Sequence, residues 1–220
     1  MSPPKTLSAV HESAIEHTDG TAVYVADLPV PKGTLVGHIV CSPHAHAKII
    51  SRSGEMAQKQ PGIAGVFFAH DVPGDNKIGP IVHDEPLLAE EFVEFMGQGV
   101  AFIVGENAEA CRKAAAFIEV EYEPLPALLD IRKAVQADSF LTTPHRIARG
   151  DTQAALATAP IRFSGEAHNG AQNHFYLETQ AAFAIPEEQG RIRILSSTQH
   201  PTEMQRMAAW VLGLPQNQII

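Results

Sequence analysis

The chain has 220 residues, of which 45% are hydrophobic, and its formal net charge at pH 7 is -9. This length provides for one large domain or two modest ones. The acidic balance and the lack of any lysine and arginine cluster argue against nucleic-acid binding. No apolar run approaches the roughly 20 residues that a membrane-spanning helix needs. The first residues also lack the apolar core of a signal peptide, so the sequence predicts a cytoplasmic protein.

The two cysteines, Cys41 and Cys111, lie far apart in apolar contexts. We expect both to be buried free thiols in a reducing compartment. No Cys-x-x-Cys spacing is present, so this chain holds neither an iron–sulfur cluster nor a structural zinc ion by a known pattern.

The first part of the chain predicts a lead-in followed by short strands. Residues 1–20 are polar and histidine-rich, and they predict an extended or partly helical segment. Apolar residues predict strands at 21–26 and 35–41, which we expect to pair as an early β-ribbon around a turn rich in proline and glycine. Further short strands are predicted at 48–51 and 64–68, and a helix is predicted at 55–60.

The clearest unit follows residue 97. The apolar run 100–104 predicts a buried strand. Asn107 is a candidate helix cap, and the helix continues to Phe117. Residues 118–122 alternate strictly and predict a half-exposed strand. A strand, a helix and a strand with short links predict a βαβ crossover, and therefore a small α/β domain.

The pattern changes after a domain boundary that we place near residue 150. The sequence predicts helices at 128–137, at 151–157 with Asp151 as the cap, and from Pro201 to a stop at Gly213, and strands at 162–167, 173–185 and 190–197. A last strand begins only at 216–220, and the second domain has about 70 residues, which is short for a lone core. We therefore expect the chain to be part of a longer protein.

Residues 170–179, Gly-Ala-Gln-Asn-His-Phe-Tyr-Leu-Glu-Thr, form the most informative stretch. Gly170 allows the main chain to come close to a ligand. Gln172 offers a donor and an acceptor without charge, and a strand from 174 to 185 would hold that amide rigidly. The segment is either a ligand contact or a tight turn with a solvent-facing amide, and turn glycines are common.

Other polar groups each have an alternative, structural interpretation. His44 and His46 share one face of a strand and could bind a metal, but no further ligand recurs at a suitable spacing, which favours a polar strand or loop end. The acidic pairs 84–85 and 90–91 could act in acid–base chemistry if they were buried. Nothing apolar encloses these pairs in the sequence, so a solvated loop is favoured.

Three further side chains, His174, Tyr176 and Glu178, alternate along the predicted strand. They could orient a substrate, but a hydrogen-bond network behind a site is the more common arrangement. Met204 and Met207 stand at helical spacing and predict core positions. The sequence contains no phosphate-binding loop, nucleophile elbow or dinucleotide-binding glycine motif.

Residues 170–179 resemble the segment around the molybdenum site of the xanthine dehydrogenase/aldehyde oxidase family, whose usual form is Gly-Gly-Gln-Glu-His-Phe-Tyr-Leu-Glu. Within this family the chain looks most similar to the separate molybdenum-binding subunit of bacterial members. Further segments that resemble the family lie in the same order and cover the chain from about residue 18: they are 20–24, 27–29, 45–49, 61–66, 84–89, 97–98, 119–126, 149–151 and 197–201.

The resemblance implies an α+β fold, in which an α/β-hammerhead domain precedes the beginning of a mixed α/β molybdopterin-binding domain. We expect the lead-in at 1–20, the hammerhead domain at 21–130, a linker at 131–150 and the molybdopterin-binding domain at 151–220. The resemblance also implies that Gly170, Ala171 and Gln172 contact the molybdenum–molybdopterin cofactor. Gln172 would donate a hydrogen bond to an oxygen ligand of molybdenum rather than bind the metal.

The implied activity is oxidative hydroxylation of purines, from hypoxanthine and xanthine to urate. Electrons would pass through iron–sulfur clusters and FAD, in a partner subunit or domain, to NAD, and the native enzyme would be a hetero-oligomer. The family's catalytic Glu, substrate-orienting Arg and glycine-rich segment lie further on, so we assign no catalytic residue here and expect these 220 residues alone to be inactive.

The chain departs from the family at two positions, since Ala171 replaces the usual second Gly and Asn173 the usual Glu. Two alternatives remain. The chain could be a non-enzymatic, hammerhead-like module that docks subunits. It could also belong to a family member that oxidises aldehydes or another N-heterocycle.

Overall fold

The computed structural model describes residues 11–176 and 178–220. Residues 1–10 of the predicted lead-in lie outside this description. The described residues group into two units, one within Met1–Pro126 and Leu177–Ile220 and the other within Ala127–Tyr176.

The first unit contains the strands β1 (Val36–Cys41), β2 (Ala47–Ser53), β3 (Ile63–Phe67), β4 (Phe92–Val93), β5 (Gly99–Gly105), β6 (Glu119–Pro124), β7 (Ala182–Pro186) and β8 (Ile192–Ser196). The helices in chain order are α1 (Ala14–Asp19), α2 (Glu55–Gln58), α3 (Ala108–Ala115), α4 (Ile131–Gln136), α5 (Thr152–Thr158) and α6 (Pro201–Leu212). Of these, α4 and α5 lie in the second unit.

The strands before residue 126 form two antiparallel sheets, ordered β1-β5-β3 and β4-β2-β6. The predicted strands at 35–41, 48–51, 64–68, 100–104 and 118–122 are confirmed within one or two residues. The predicted βαβ crossover is wrong, because β1 and β3 occupy both edges of β5. The chain leaving α3 therefore places β6 beside β2 in the other sheet.

Helix α3 begins where the sequence predicts, because the Asn107 side chain accepts a hydrogen bond from the N–H of Ala110 at 2.9 Å. Its apolar face buries Cys111 and Ala114 against Ile103 of β5. A second cluster, around Ala47, Ile49, Ala89, Val93 and Val100, forms the core beside the β4-β2-β6 sheet. These two clusters hold the two sheets in place.

Three predictions for the first 41 residues are wrong. Residues 21–26 form no strand, and Val25–Asp27 is a short 3-10 helix. The Asp27 carboxylate accepts a hydrogen bond from the N–H of Tyr24 at 3.0 Å, which favours a turn over an extended chain. The early β-ribbon is therefore absent, and β1 pairs with β5. The prediction of a buried thiol is also wrong for Cys41, the last residue of β1, which is exposed, whereas Cys111 is buried as predicted.

The remainder of the first unit consists of the β7–β8 hairpin and helix α6. The hairpin and its turn confirm the predicted antiparallel pair, although β7 begins only at Ala182. Pro201 occupies the first turn of α6, and Gly213 ends the helix with φ 63°, both as predicted. Met204 and Met207 are half-buried. Residues 216–218 form a 3-10 helix rather than the predicted strand, and pairing begins only at Ile219.

The C-terminal end of α6 packs closely against the loop that follows β3. The N–H groups of Gly74 and Asp75 donate to the carbonyls of Val211 and Trp210, each at 2.9 Å. The ring of His83, from the same loop, lies 4.7 Å from the Trp210 ring, centroid to centroid. These contacts join the sheet region to α6 within the first unit.

In the second unit, Asp130 and Asp151 cap α4 and α5 by accepting backbone hydrogen bonds at 3.0 and 2.9 Å, so both predicted helices are confirmed. The predicted strand at 162–167 is wrong. An extended segment becomes a strand only when a neighbouring strand pairs with it, and the described residues provide none there. Across the described part of the chain, no helix is long and apolar enough to cross a bilayer.

Candidate functional site

The segment around Gln172 is irregular and exposed. Residues 168–176 form neither helix nor strand, and every one of them is exposed. An added Cβ at Gly170 would meet no atom within 4 Å. The long strand predicted from residue 173 or 174 to residue 185 is therefore wrong before Ala182, where the ladder to β8 begins. No strand holds the Gln172 amide.

This exposure leaves the polar groups of the segment available. Among the described residues, no hydrogen bond involves the Gln172 side chain or the backbone N–H groups of 168–176. The rings of His174 and Tyr176 stack with centroids 5.6 Å apart and an interplanar angle of 6°. The segment therefore presents neutral hydrogen-bond donors. They lie in sequence beside Gly170, which has free space around it, and beside the stacked rings of His174 and Tyr176.

The third residue of the predicted strand face, Glu178, is placed separately. It belongs to the first unit, where its carboxylate accepts a hydrogen bond from the N–H of Val25 at 3.2 Å. The prediction that His174, Tyr176 and Glu178 share one strand face is therefore wrong. Glu178 instead secures the short 3-10 helix that begins at Val25.

The two histidines His44 and His46 serve structural contacts. The His44 ring lies 4.7 Å from the Tyr122 ring, and His46 Nδ1 is 2.9 Å from the carbonyl oxygen of Pro126. Within the described ranges, no group of three or more histidine, cysteine or acidic side chains could hold a metal ion. The interpretation of these histidines as a loop end after β1 therefore agrees with the structure.

A polar contact connects the ends of the two sheets near these histidines. Ser42 is 2% exposed, its hydroxyl oxygen accepts a hydrogen bond from the N–H of His44 at 3.1 Å, and the hydroxyl lies near that of Tyr122 on β6. Burial raises the pKa of the Tyr122 hydroxyl above its usual value, and the nearby Ser42 hydroxyl and the charge of Arg52 oppose that shift. The contact positions the chain between β1 and β2.

The acidic pairs at 84–85 and 90–91 are solvent-exposed, as the sequence suggested. The Glu90 carboxylate accepts a hydrogen bond from Asn76 Nδ2 at 2.9 Å, and the Asn76 side chain also bonds both backbone groups of Leu88. The Glu90 carboxylate therefore helps to hold the loop before β4, and all four acidic residues are exposed.

The sequence did not predict a cavity of about 590 Å³ in the first unit. Its walls come from the segment around Val25, from β8, from the first turns of α6 and from Ile219 and Ile220. Most of the lining is apolar, and the polar side chains are hydroxyls and amides, with no carboxylate among them. Because these segments are far apart in the chain, only the repeated isoleucines near residue 220 could have suggested an apolar surface there.

Comparisons with known proteins support the family resemblance that the sequence indicates. Residues 19–126 match the family model of the aldehyde oxidase and xanthine dehydrogenase a/b hammerhead domain. Residues 136–220 match the model of the molybdopterin cofactor-binding domain. The chain belongs to the xanthine dehydrogenase/aldehyde oxidase family. This confirms the predicted α+β fold class, a hammerhead domain followed by a molybdopterin-binding domain.

Relatives of this chain include a xanthine dehydrogenase of Oryza sativa subsp. japonica, 40% identical over 215 residues. Another is a xanthine dehydrogenase of Emericella nidulans, 39% identical over 213 residues. Each alignment covers 96% of this chain and 16% of the relative. The chain therefore spans about one sixth of the length of these relatives.

Solved structures of the family share the fold. An aldehyde oxidoreductase from Desulfovibrio gigas matches with a TM-score of 0.81 at 28% identity, over 94% of this chain and 25% of the other. Quinoline 2-oxidoreductase from Pseudomonas putida 86 matches with a TM-score of 0.80 at 28% identity, over 96% of this chain and 29% of the other.

The cofactor of the matched domain family is molybdenum–molybdopterin, and the family's iron–sulfur and FAD groups belong to its other domains. The donors of 168–176 fit such a group chemically. Neutral amides and free backbone N–H groups stabilise an anionic, oxygen-rich ligand without adding charge, and the space at Gly170 permits close approach.

Proposed function

We propose that the full-length protein is a molybdenum hydroxylase that oxidises purines, converting hypoxanthine and xanthine to urate. The observation that carries this proposal is the identity of 38–40% to proteins named xanthine dehydrogenase, over 96% or more of this chain. Structural relatives named for aldehydes or quinoline are 28% identical. The purine is therefore the favoured substrate class.

Three residues of this chain contact the cofactor in this proposal. Gln172 donates a hydrogen bond from its neutral amide, whereas a carboxylate at that position would repel an electron-rich group. Gly170 and Ala171 have small side chains or none, so the backbone beside Gln172 can come close to the cofactor. When bound, the cofactor supplies the oxygen-transfer and electron-accepting chemistry.

The partners follow from the same proposal. An iron–sulfur and FAD subunit or domain takes the electrons to NAD, and we propose that the native enzyme is a hetero-oligomer in which a separate subunit carries these groups. We propose the cytoplasm as its compartment, since both Cys41 and Cys111 are free thiols. The boundaries 21–130, 131–150 and 151–220 are our proposed division of the chain.

We further propose that these 220 residues alone do not turn over substrate. Among the described residues, neither the exposed segment at 168–176 nor the large cavity contains a carboxylate placed to act as a general base. The test is xanthine oxidation, measured as urate formation, by the full-length protein and by the 220-residue chain. Turnover by the full-length protein alone supports the proposal, and turnover by the short chain contradicts it.

A family member that acts on aldehydes or another N-heterocycle is the second candidate, and the structural likeness to the aldehyde and quinoline enzymes favours it. Steady-state kinetics of the full-length protein with xanthine, an aromatic aldehyde and quinoline separate the two. A kcat/KM that is highest for the aldehyde or quinoline would replace the purine proposal. A full-length protein that binds no molybdenum would instead favour the docking module.

A further inference from the structure

An asparagine followed directly by a glycine lies within the exposed segment at 168–176. The pair is Asn169–Gly170, and the sequence contains no other Asn-Gly pair. The backbone nitrogen of the residue after an asparagine can attack the side-chain carbonyl carbon and form a five-membered succinimide ring. This reaction is intramolecular, so its rate depends on how readily the local backbone reaches the reactive geometry.

The structure leaves this geometry open at Asn169. Both members of the pair are exposed and belong to neither helix nor strand. Among the described residues, neither the N–H of Gly170 nor the side chain of Asn169 takes part in a hydrogen bond. No atom lies within 4 Å of where a Cβ of Gly170 would be, and glycine has the widest backbone freedom. The nitrogen can therefore approach the carbonyl carbon without the loss of any hydrogen bond.

The other four asparagines do not combine these features. Asn76 is buried and its side chain is hydrogen-bonded, and the Asn107 side chain caps α3. Asn217 lies in the 3-10 helix at 216–218. Asn173 is as exposed as Asn169 and lies in the same irregular segment, but His174 follows it. Because a side chain on the following residue restricts the backbone and shields its nitrogen, Asn173 is the internal comparison for the effect of the glycine.

An aspartate before a glycine can form the same ring, with loss of water, and Asp19–Gly20 is such a pair. Here the structure opposes the reaction. The Asp19 carboxylate accepts hydrogen bonds from the hydroxyl and the N–H of Thr21, at 2.6 and 3.0 Å, and these lower the pKa of the Asp19 carboxyl. An ionised carboxylate is a poor electrophile. The N–H of Gly20 donates to the carbonyl of Glu16, so the attacking nitrogen is also held.

We propose that Asn169–Gly170 is a site of spontaneous self-modification, at which Asn169 is converted to aspartate and isoaspartate while the segment holds no cofactor. The backbone nitrogen of Gly170 loses its proton to solvent and attacks the side-chain carbonyl carbon of Asn169. The new C–N bond closes the ring, and the bond to the side-chain nitrogen breaks as ammonia leaves with a proton from solvent. Water then opens the ring at one of its two carbonyls, which gives aspartate or isoaspartate. The net reaction consumes one water and releases one ammonia.

The modification changes the charge of the segment. It places a carboxylate three residues before Gln172, and isoaspartate also lengthens the main chain by one carbon. The effect on the cofactor rests on the proposed function, in which neutral donors of this segment face an anionic, oxygen-rich group that a carboxylate would repel. Bound cofactor in turn holds the segment and slows ring closure. Protein that stays without cofactor therefore loses its capacity to bind it.

Peptide mapping of the full-length protein by mass spectrometry tests this inference. Molybdenum-loaded and cofactor-free protein are incubated side by side at mildly alkaline pH, and a protein-isoaspartate methyltransferase labels the isoaspartate. In the cofactor-free protein we expect Asn169 to convert at least about tenfold faster than Asn173, and Asp19 to yield less isoaspartate than Asn169. Equal rates at Asn169 and Asn173 overturn the inference. Equal conversion of Asn169 in loaded and cofactor-free protein overturns the protection by the cofactor.

The variant Asn169→Gln tests the consequence for cofactor binding. It keeps a neutral amide, but its ring would need six members and closes much more slowly. After incubation without cofactor, the unmodified protein should lose molybdenum uptake in proportion to the converted fraction of Asn169. The variant should keep the uptake that it had before incubation. Equal losses in the two proteins contradict this consequence.

The two proposals fail in different ways. A full-length protein that takes up no molybdenum before incubation overturns the proposed function. The ratio of the conversion rates at Asn169 and Asn173 in that same protein still decides whether the modification occurs as proposed.

Discussion

The close packing of the loop at Gly74 against α6 predicts a large effect of a single methyl group. A Cβ at position 74 would lie 1.9 Å from the carbonyl oxygen of Trp210 and 2.6 Å from the backbone nitrogen of Gly213. Both neighbours are backbone atoms, so neither can turn away. The loop has to move by roughly 1 Å before such a contact becomes tolerable.

That movement breaks the two hydrogen bonds that join the loop to the helix, from Gly74 to Val211 and from Asp75 to Trp210. A typical intramolecular hydrogen bond contributes about 1 kcal/mol. Gly74→Ala is therefore expected to lower the free energy of unfolding by about 2 kcal/mol. The contact between His83 and the Trp210 ring is lost with the loop, because His83 lies on it.

Urea denaturation followed by tryptophan fluorescence measures this effect, since Trp210 is the only tryptophan. Gly165→Ala is the matched control, because an added Cβ there meets no atom within 4 Å and the backbone has no left-handed φ. Variants of equal stability, with unchanged Trp210 emission, would refute the reasoning.

Further predictions concern a helix cap, the two thiols and the hydroxyl of Tyr122. Asn107→Ala should cost about 1 kcal/mol of unfolding free energy through loss of the α3 cap, measured against the exposed control Asn217→Ala; equal effects would contradict the cap. Iodoacetamide at pH 8 should modify exposed Cys41 rapidly and spare Cys111 until the protein unfolds, because burial excludes the reagent and raises the pKa of the Cys111 thiol; mass spectrometry that finds both modified at similar rates refutes this. The raised pKa of Tyr122 means that the native state holds this proton more tightly than the unfolded state, so the stabilisation is present below about pH 10 and is lost as the pH rises through the folded value. Tyr122→Phe should therefore reduce the fall of the thermal midpoint above pH 10, and an unchanged pH profile would exclude this role.

Elements with local signals were predictable from the sequence. Asn107 and Asp151 cap their helices through their own side chains, and Pro201 and Gly213 mark the two ends of α6 through their backbone preferences. Such signals act over three or four residues, so a single sequence contains them in full.

Strands whose existence depends on a distant partner were not predictable in the same way. Residues 162–167 have the alternation of a strand but no neighbour among the described residues, and they stay irregular. Residues 21–26 do not form the predicted strand, because the Asp27 side chain stabilises a turn there. The crossover after β5 was wrong because alternation along 118–122 does not specify which sheet the strand joins.

The candidate site was predicted from the segment 170–179, together with other segments that resemble the family and occur in the same order along the chain. Gln172 and Gly170 were identified from side-chain chemistry and resemblance, and the structure shows their polar groups exposed. The cavity beside β8 was missed because its walls come from segments almost 200 residues apart in the chain. The periodicity of a single sequence does not show which distant segments pack against each other.

The role of Gln172 at the cofactor is tested most directly by xanthine turnover and molybdenum content of the full-length Gln172→Glu variant. Gln153→Glu, at an exposed position of α5, carries the same charge change at a residue that is not proposed to contact the cofactor. Loss of a hydrogen bond to a charged group costs about 1.5–3 kcal/mol. We therefore predict a kcat/KM reduced by at least about tenfold for Gln172→Glu, and no change for Gln153→Glu. Equal kcat/KM and equal molybdenum content for the two variants and the unmodified protein would contradict the assignment.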